Sequence, residues 1–104
     1  MYQDHKENLW IGTNNGLLRF NGNGTVRYSS IHGLSHDYIM VVCEDSERNL
    51  WVGTLKGLNR LKIKRDGKIA FEVLLKSVTV FSLFEDKEKS LWIGTENSGL
   101  KRLK

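Results

Sequence analysis

Leu50-Trp51-Val52-Gly53-Thr54 is one of three copies of a short apolar segment. The other copies are Leu9-Trp10-Ile11-Gly12-Thr13 and Leu91-Trp92-Ile93-Gly94-Thr95. The chain has three tryptophans, at positions 10, 51 and 92, so successive copies start 41 residues apart. A repeat of this period indicates a fold built from similar units, either a helical solenoid or the blades of a β-propeller.

The same register extends to both sides of the repeated segment. An aspartate stands six residues before each tryptophan, and an arginine follows two residues after a later Gly-Leu pair. We expect the aspartates to cap the preceding turn by accepting backbone N–H bonds, and we expect the tryptophans and glycines to pack between units. The predicted structural positions are Asp4, Trp10 and Gly12 in the first repeat, Asp45, Trp51 and Gly53 in the second, and Asp86, Trp92 and Gly94 in the third. The arginines that follow them in the sequence are Arg19, Arg60 and Arg102.

The repeated segment reads as a strand, because it is short, rich in aromatic and β-branched residues, and bounded by turn formers. Leu9 and Ile11 fall on one face, and Trp10 and Gly12 on the other. Apolar residues on both faces indicate a sheet that is covered on both sides. A tryptophan beside a glycine leaves room for a neighbouring sheet to interdigitate.

Three further strands complete each unit and predict an all-β fold of four-stranded antiparallel blades. We name the strands A to D, with the tryptophan on strand B. Strand A is predicted at 38–44 and 78–85, strand C at 57–63, and strand D at 68–74 after the Asp66-Gly67 turn. Strand A is the most apolar and is expected innermost. The chain is thus predicted to be one partial β-propeller over 1–104, with repeats at approximately 1–37, 38–77 and 78–104.

The pattern Asp-x-x-x-Asn/Ser-Leu-Trp-Ile/Val-Gly-Thr, followed by Gly-Leu-x-Arg, resembles the two-component regulator propeller repeat. Such repeats form the extracytoplasmic sensory propellers of bacterial hybrid two-component receptors. The resemblance implies a non-catalytic, periplasmic sensor segment of a histidine kinase-type receptor that recognises a carbohydrate. One departure concerns the turn before strand B, where the family has glycine and this chain has Glu7, Arg48 and Lys89. Asn8 and Asn49 tolerate the left-handed conformation, so the turn itself is expected to be kept.

Composition excludes several other partners. The net charge is +4, but acidic residues separate the basic ones and no aromatic ladder interleaves them, so no nucleic-acid partner is predicted. The longest apolar stretch, 38–43, is far shorter than the roughly 20 residues of a membrane-spanning helix, so no membrane contact is predicted. Cys43 is expected to be a core thiol. His32 and His36 have no third ligand nearby, so we expect no metal and no cofactor.

The connections D–A and B–C should emerge on one side of the blades, around the central channel, where propellers usually bind ligands. Polar residues in these connections are suited to an oligosaccharide, and the candidates are Asn14, Asn15, His32, His36, Tyr38, Lys56 and Asn97. A scaffold for protein–protein interaction or receptor dimerisation is the alternative. A hydrolase or lyase would need paired acids, for which this face offers Asp37 and Glu96.

The chain is shorter than a closed propeller with this repeat would be. Known propellers have four to eight blades, whereas 104 residues at 41 per blade give about 2.5. The predicted propeller is therefore incomplete, with apolar blade faces and unpaired edges at both ends. We expect these faces to be covered by the remaining blades of a receptor or, in isolation, by a second copy of the chain in a homodimer.

Overall fold

A computed structural model describes residues 1–103 and consists of three antiparallel sheets. Each sheet follows the order of the chain, with strands adjacent in sequence paired in space. The first sheet contains β1 (Tyr2–Gln3), β2 (Leu9–Thr13), β3 (Gly16–Asn21) and β4 (Gly24–Tyr28). The second contains β5 (Ile39–Glu44), β6 (Leu50–Thr54), β7 (Gly57–Ile63) and β8 (Ile69–Lys76). The third contains β9 (Val80–Glu85), β10 (Leu91–Thr95) and β11 (Leu100–Leu103).

The prediction of an all-β fold made of antiparallel propeller blades is confirmed. Among residues 1–103 the only helical element is one 3₁₀ turn, Ser30–His32, in the connection between β4 and β5. The predicted strand limits are shifted by one or two residues, since the A strands begin at Ile39 and Val80 and the D strand of the second blade extends to Lys76. Strand B is, however, more buried than strand A. All of β6 is buried, whereas β5 and β9 bury only Ile39 and Val80, because strand A is the edge of its sheet.

The blades pack face to face, and each interface joins opposite faces of successive sheets. Trp10 and Leu17 of the first blade pack with Leu50 and Val52 of the second. One repeat later, Trp51 and Leu58 of the second blade pack with Leu91 and Ile93 of the third. The tryptophan face of each blade is therefore covered by the Leu/Ile/Val face of the next blade, as the alternation along strand B predicts.

The repeated glycines lie where a neighbouring side chain enters. A Cβ on Gly12 would stand 2.6 Å from Cγ2 of Ile39, the first residue of the next blade. A Cβ on Gly53 would stand 2.7 Å from Cγ1 of both Val41 and Val80, the latter again in the next blade. Contacts this short are excluded, so glycine at these positions sets the distance between blades.

The two outer faces of the three-blade stack are uncovered in the described chain. On the first blade Leu9 and Ile11 are half-buried, whereas their counterparts in the second and third blades are buried. On the third blade Trp92 is only half-buried, and Phe84 and Leu100 are 65% and 67% exposed.

The turn between strands A and B contains one left-handed residue, at the position where the family has glycine. Glu7, Arg48 and Lys89 have φ values of 67°, 68° and 65°, whereas Asn8 and Asn49 do not have positive φ. In each of these hairpins the left-handed residue donates its N–H to the carbonyl of the aspartate three residues earlier, and it restores the strand register after the turn. The turn is kept without a left-handed asparagine, because Asn8 and Asn49 come one residue later, where the backbone already pairs with the aspartate that follows strand A.

Arg48→Gly is expected to raise the free energy of unfolding by about 0.5–1 kcal/mol. The left-handed conformation is higher in free energy for a residue with a Cβ than for glycine. The turn between β7 and β8 has the same backbone hydrogen-bond pattern, and Gly67, with φ of 83°, occupies its left-handed position. Urea denaturation of the variant measures the change. Glu47→Gly, one residue earlier and without positive φ, is the control and should not be stabilised; equal effects of the two variants would contradict the explanation.

Candidate functional site

An Asp–Trp hydrogen bond recurs in every blade at the turn between strands A and B. Oδ1 of Asp45 accepts the backbone N–H of Glu47 and of Asn49, both at 2.9 Å. Oδ2 of Asp45 accepts the indole N–H of Trp51 at 2.9 Å. The corresponding indole bonds are 2.8 Å from Trp10 to Asp4 and 2.9 Å from Trp92 to Asp86. The aspartates thus accept backbone N–H groups and also anchor the tryptophan, a bond that the sequence analysis missed although their constant six-residue spacing could have indicated it.

The repeated arginine lies over the tryptophan ring in each blade. The guanidinium carbon is 5.9 Å from the ring centroid for Arg19 on Trp10, 5.7 Å for Arg60 on Trp51 and 5.6 Å for Arg102 on Trp92. Each arginine is the cross-strand partner of its tryptophan, which places both side chains on one face of the sheet. The spacing of tryptophan and arginine therefore encodes a cation–π contact.

The hydrogen bonds hold the repeated aspartates in the ionised form. Burial by itself would raise the pKa of Asp4 and of Asp45. The bonds from Trp10 and Asn8, and from Trp51 and Asn49, outweigh that effect and lower both pKa values below their usual range. The pKa of Asp86 is lowered too, chiefly by the bond from Trp92.

Stability is therefore expected to fall as the pH drops below about 4. A carboxyl group whose pKa is lowered by folding takes up a proton more readily in the unfolded chain, so its contribution is present above the unfolded pKa and is lost as the pH falls through the folded pKa. Urea midpoints measured between pH 6 and pH 3 test this. Asp45→Asn should be less stable at pH 6 and should show a flatter pH dependence; an unchanged slope in that variant would contradict the role given to Asp45.

Glutamates at the end of strand A join successive blades. The carboxylate of Glu44 accepts the backbone N–H of His5 at 3.0 Å and contacts Nδ1 of the same residue. One repeat later, Glu85 accepts the backbone N–H and the hydroxyl of Ser46 at 2.9 and 2.8 Å. The sequence analysis missed these residues, although each directly precedes a repeated aspartate.

The connection from β4 to β5 is anchored to the second blade. Leu34 is only 4% exposed and belongs to the core between the first and second blades. Ser35 receives an N–H bond from Nδ2 of the buried Asn59 at 2.9 Å, donates its own backbone N–H to Oδ1 of Asn59 at 2.9 Å, and lies 2.7 Å from the hydroxyl of Thr54. This connection is therefore a fixed part of the inter-blade packing.

Three of the predicted ligand-binding residues already accept hydrogen bonds: His32 and His36 from their own connection, and Asn15 from Arg27 of β4. Nδ1 of His32 accepts the backbone N–H of Ser29 at 3.0 Å, and Nδ1 of His36 accepts that of Tyr38 at 3.0 Å. The carbonyl and side-chain oxygens of Asn15 accept bonds from Arg27 at 2.7 and 2.8 Å. These atoms hold the backbone of the loops in place. Only the other polar atoms of the three residues are available to a ligand.

The other predicted residues are exposed on the loops of the same end of the blades. Asn14, Tyr38, Lys56 and Asn97 are exposed. The backbone N–H of Leu55 donates to the carbonyl of Tyr38 at 3.1 Å, which joins a B–C turn to a D–A connection as the topology predicts. The clefts that Lys56 and His32 line are separate ones. Lys56 lines a cleft with Ser35 and Lys76, and His32 lines a separate one with Arg19 and Tyr28.

Two further clefts lie at the opposite end, beside the A–B turns. The first, of about 380 Å³, lies between the first and second blades, and the second, of about 230 Å³, lies between the second and third. Both are lined by the repeated aspartate, tryptophan and arginine together with the glutamate of the next blade. The two clefts are equivalent, because each lies between one blade and the next. None of the seven predicted ligand-binding residues lines either of them.

Groups that would carry metal or thiol chemistry are not assembled in the part of the chain that the structure describes. Residues 1–103 contain no cluster of three His, Cys, Asp or Glu side chains able to hold a metal ion. They also contain no helix long and apolar enough to span a membrane. Burial raises the pKa of Cys43 to about 11, with Asp45 and Glu85 adding to the effect, so the thiol is protonated at neutral pH.

The fold and the repeated Asp–Trp–Arg contacts define this chain as an open segment of a β-propeller. The model of the two component regulator propeller family matches residues 33–56 and 74–97. The chain therefore carries two component regulator propeller repeats. No curated protein sequence gives a significant match.

Two solved structures from B. thetaiotaomicron are similar to the chain along almost its whole length. One is the extracellular domain of BT3049, described as a hybrid two component system, with 25% identity over 98% of this chain and a TM-score of 0.78. The other is the extracellular domain of BT4673, described as a one component system, with 28% identity over 97% and a TM-score of 0.76. The chain spans only 13% and 15% of those two chains.

Proposed function

We propose that this chain is a non-catalytic part of the extracytoplasmic sensory propeller of a bacterial two-component receptor, of the hybrid histidine kinase type, located in the periplasm. The similarity to the extracellular domain of BT3049, described as a hybrid two component system, carries the proposal, and the extracellular domain of BT4673, described as a one component system, has a similar fold. The family repeats support it, because the matched residues include the repeated Trp-Gly segments of the second and third blades.

A non-catalytic role is supported by how the polar residues are used. The repeated aspartates accept indole and backbone N–H groups, and the carboxylate of Asp37, on the loop face, accepts the backbone N–H of Ser30 at 2.8 Å. Carboxylates that are occupied in this way hold the fold together, and general acid or base catalysis requires groups free to exchange protons with a substrate.

For the ligand we propose a carbohydrate, bound at the loop face by Tyr38, Lys56 and Asn97. An exposed aromatic ring beside amide and ammonium donors can stack on a sugar ring and bond its hydroxyls. Calorimetric titration of the receptor with a panel of oligosaccharides tests this. Binding that weakens about tenfold in Tyr38→Ala but not in Asn23→Ala, in the hairpin between β3 and β4, would support it, and no binding across the panel would refute the carbohydrate assignment.

A scaffold for receptor dimerisation or protein–protein contact is the second candidate function. It is favoured by the exposed Phe84 and Leu100 on the third blade and by the internal bonds of Asn15, His32 and His36. The partners would be the remaining blades of the receptor or a second copy of the chain. Chemical crosslinking of the receptor at the third blade, without added sugar, would distinguish the scaffold from a ligand-dependent sensor.

A further inference from the structure

A cleft of about 310 Å³ lies at the boundary between the first and second blades. Arg19, Tyr28 and His32 line it from the first blade and its outgoing connection, and Lys68 and Ile69 line it from the second blade. The ionisable residues among these are two basic side chains, a histidine and a tyrosine, with no carboxylate in the lining. The cleft thus favours an anionic group.

Arg19 lacks the partner that its position has in the next blade. Its guanidinium lies 5.9 Å from the centroid of Trp10 and 5.8 Å from that of Tyr28. Its Nε is buried and has no hydrogen-bond partner among residues 1–103. A buried, unpaired N–H of a charged group is costly, so a partner there would be stabilising.

The second blade shows which chemical group fits this arrangement. Arg60 occupies the position of Arg19 one repeat later, and its Nε donates to Oε1 of Glu72 at 2.8 Å while a terminal nitrogen contacts the same oxygen. Glu72 is the cross-strand partner of Arg60 on strand D. In the first blade the cross-strand partner of Arg19 is Val26, which cannot accept a hydrogen bond.

Other carboxylates near Arg19 are already occupied. Asp4 lines the neighbouring cleft together with Arg19, but its oxygens accept the indole of Trp10 and three N–H groups of Lys6 and Asn8. Glu44, in that same cleft, is bound to His5. Neither oxygen pair is free to take the place that Glu72 has in the second blade.

We propose that the cleft at Arg19 binds the carboxylate of a ligand, held by the Arg19 guanidinium with Lys68 and His32 beside it. The ligand carboxylate takes the role that Glu72 has in the second blade, and the pairing of a guanidinium with a carboxylate is strong and geometrically specific. A sugar acid and an acidic peptide side chain present the same group. The inference does not depend on the proposed function, since among the loop-face candidates only His32 lines this cleft.

Nuclear magnetic resonance titration of the full chain tests the inference, with the indole N–H of Trp10 and the Nε–H of Arg19 as reporters. The probes are D-glucuronate, N-acetyl-L-glutamate amide, D-glucose and inorganic phosphate. We expect saturable shifts with a dissociation constant on the order of 1–10 mM for at least one carboxylate probe, and none for glucose. The first two probes distinguish a sugar acid from a peptide carboxylate.

Val26→Glu supplies the missing carboxylate from within the chain, and Val26→Gln is its uncharged control. Val26 is 38% exposed, so both variants should fold. We expect Val26→Glu to weaken carboxylate binding by about tenfold or more and Val26→Gln to leave it within about twofold. Arg19→Gln should also abolish the shifts. Equal binding by Val26→Glu and the natural chain, phosphate binding as tight as carboxylate binding, or no shift with either carboxylate would overturn the proposal.

Discussion

Gly53→Ala is expected to lower the free energy of unfolding by about 3 kcal/mol. Gly53 is buried in strand B of the second blade, and an added Cβ would lie 2.7 Å from Cγ1 of Val80 and 2.9 Å from its carbonyl oxygen. A side chain can rotate away, but the carbonyl belongs to the backbone of the third blade. The methyl group must therefore separate two blades that are packed at interior density.

The loss of stability should lower the urea midpoint. Because the substitution disturbs the contact between the second and third blades, the chemical shifts of residues on both sides of that interface should also change. Gly22→Ala is the matched control, since an added Cβ there meets nothing within 4 Å and φ is not positive. We expect a change within about 0.5 kcal/mol for the control. Similar effects of the two substitutions would show that Gly53 is not a spacer between blades.

Asp45→Ala should also cost about 3 kcal/mol. The substitution removes the cap of the A–B turn, which is worth about 1 kcal/mol, and it leaves the indole N–H of Trp51 without its acceptor inside the core, which costs about 1–3 kcal/mol more. Trp51 is only 4% exposed, so most of its ring stays out of water when the acceptor is removed.

Tryptophan fluorescence and urea denaturation together measure this effect. Asp66→Ala provides the comparison, because Asp66 accepts one backbone N–H, from Lys68 at 2.9 Å, in the turn between β7 and β8. That loss should be about 0.5–1 kcal/mol. If Asp45→Ala costs no more than Asp66→Ala, the bond to the tryptophan contributes nothing to stability.

The sequence predicted the blades because the repeat combines several independent local signals. Alternation in strand B placed Leu50 and Val52 on one face and Trp51 and Gly53 on the other, and both faces are packed as that pattern requires. Hairpin signals such as Asp66-Gly67 fixed the order of the strands. The repeat and the alternation are both visible in the order of the residues, so a single sequence is enough to predict the strands and the blades.

Contacts between blades were harder to predict, because they join residues about 39 apart through side-chain geometry. Glu44 and Glu85 bind the turn of the preceding blade, and their position before a repeated aspartate marks them as part of the repeat without showing which group they bind. The same holds for the loop face. His32 and His36 were identified as polar groups free for a ligand, yet each uses Nδ1 to accept a backbone N–H of its own loop.

The left-handed turn residue shows a further limit. Arg48 has φ of 68° although asparagine follows it, because hydrogen bonding between Asp45 and Asn49 fixes which residue must reverse the chain. Propensity favours asparagine, but register decides the position. Conformational preference is a weak signal when the hairpin already fixes the backbone.

The tryptophan faces of the first and second blades are each covered by the next blade, whereas the tryptophan face of the third blade is uncovered in the described chain. The most direct test is the molar mass of the purified chain in solution, by size-exclusion chromatography with light scattering. We predict a mass at least twice the 12.0 kDa of one chain, returning toward 12.0 kDa when Phe84 and Leu100 are both replaced by glutamate. A soluble, cooperatively folded monomer of 12.0 kDa with the natural sequence would contradict this arrangement.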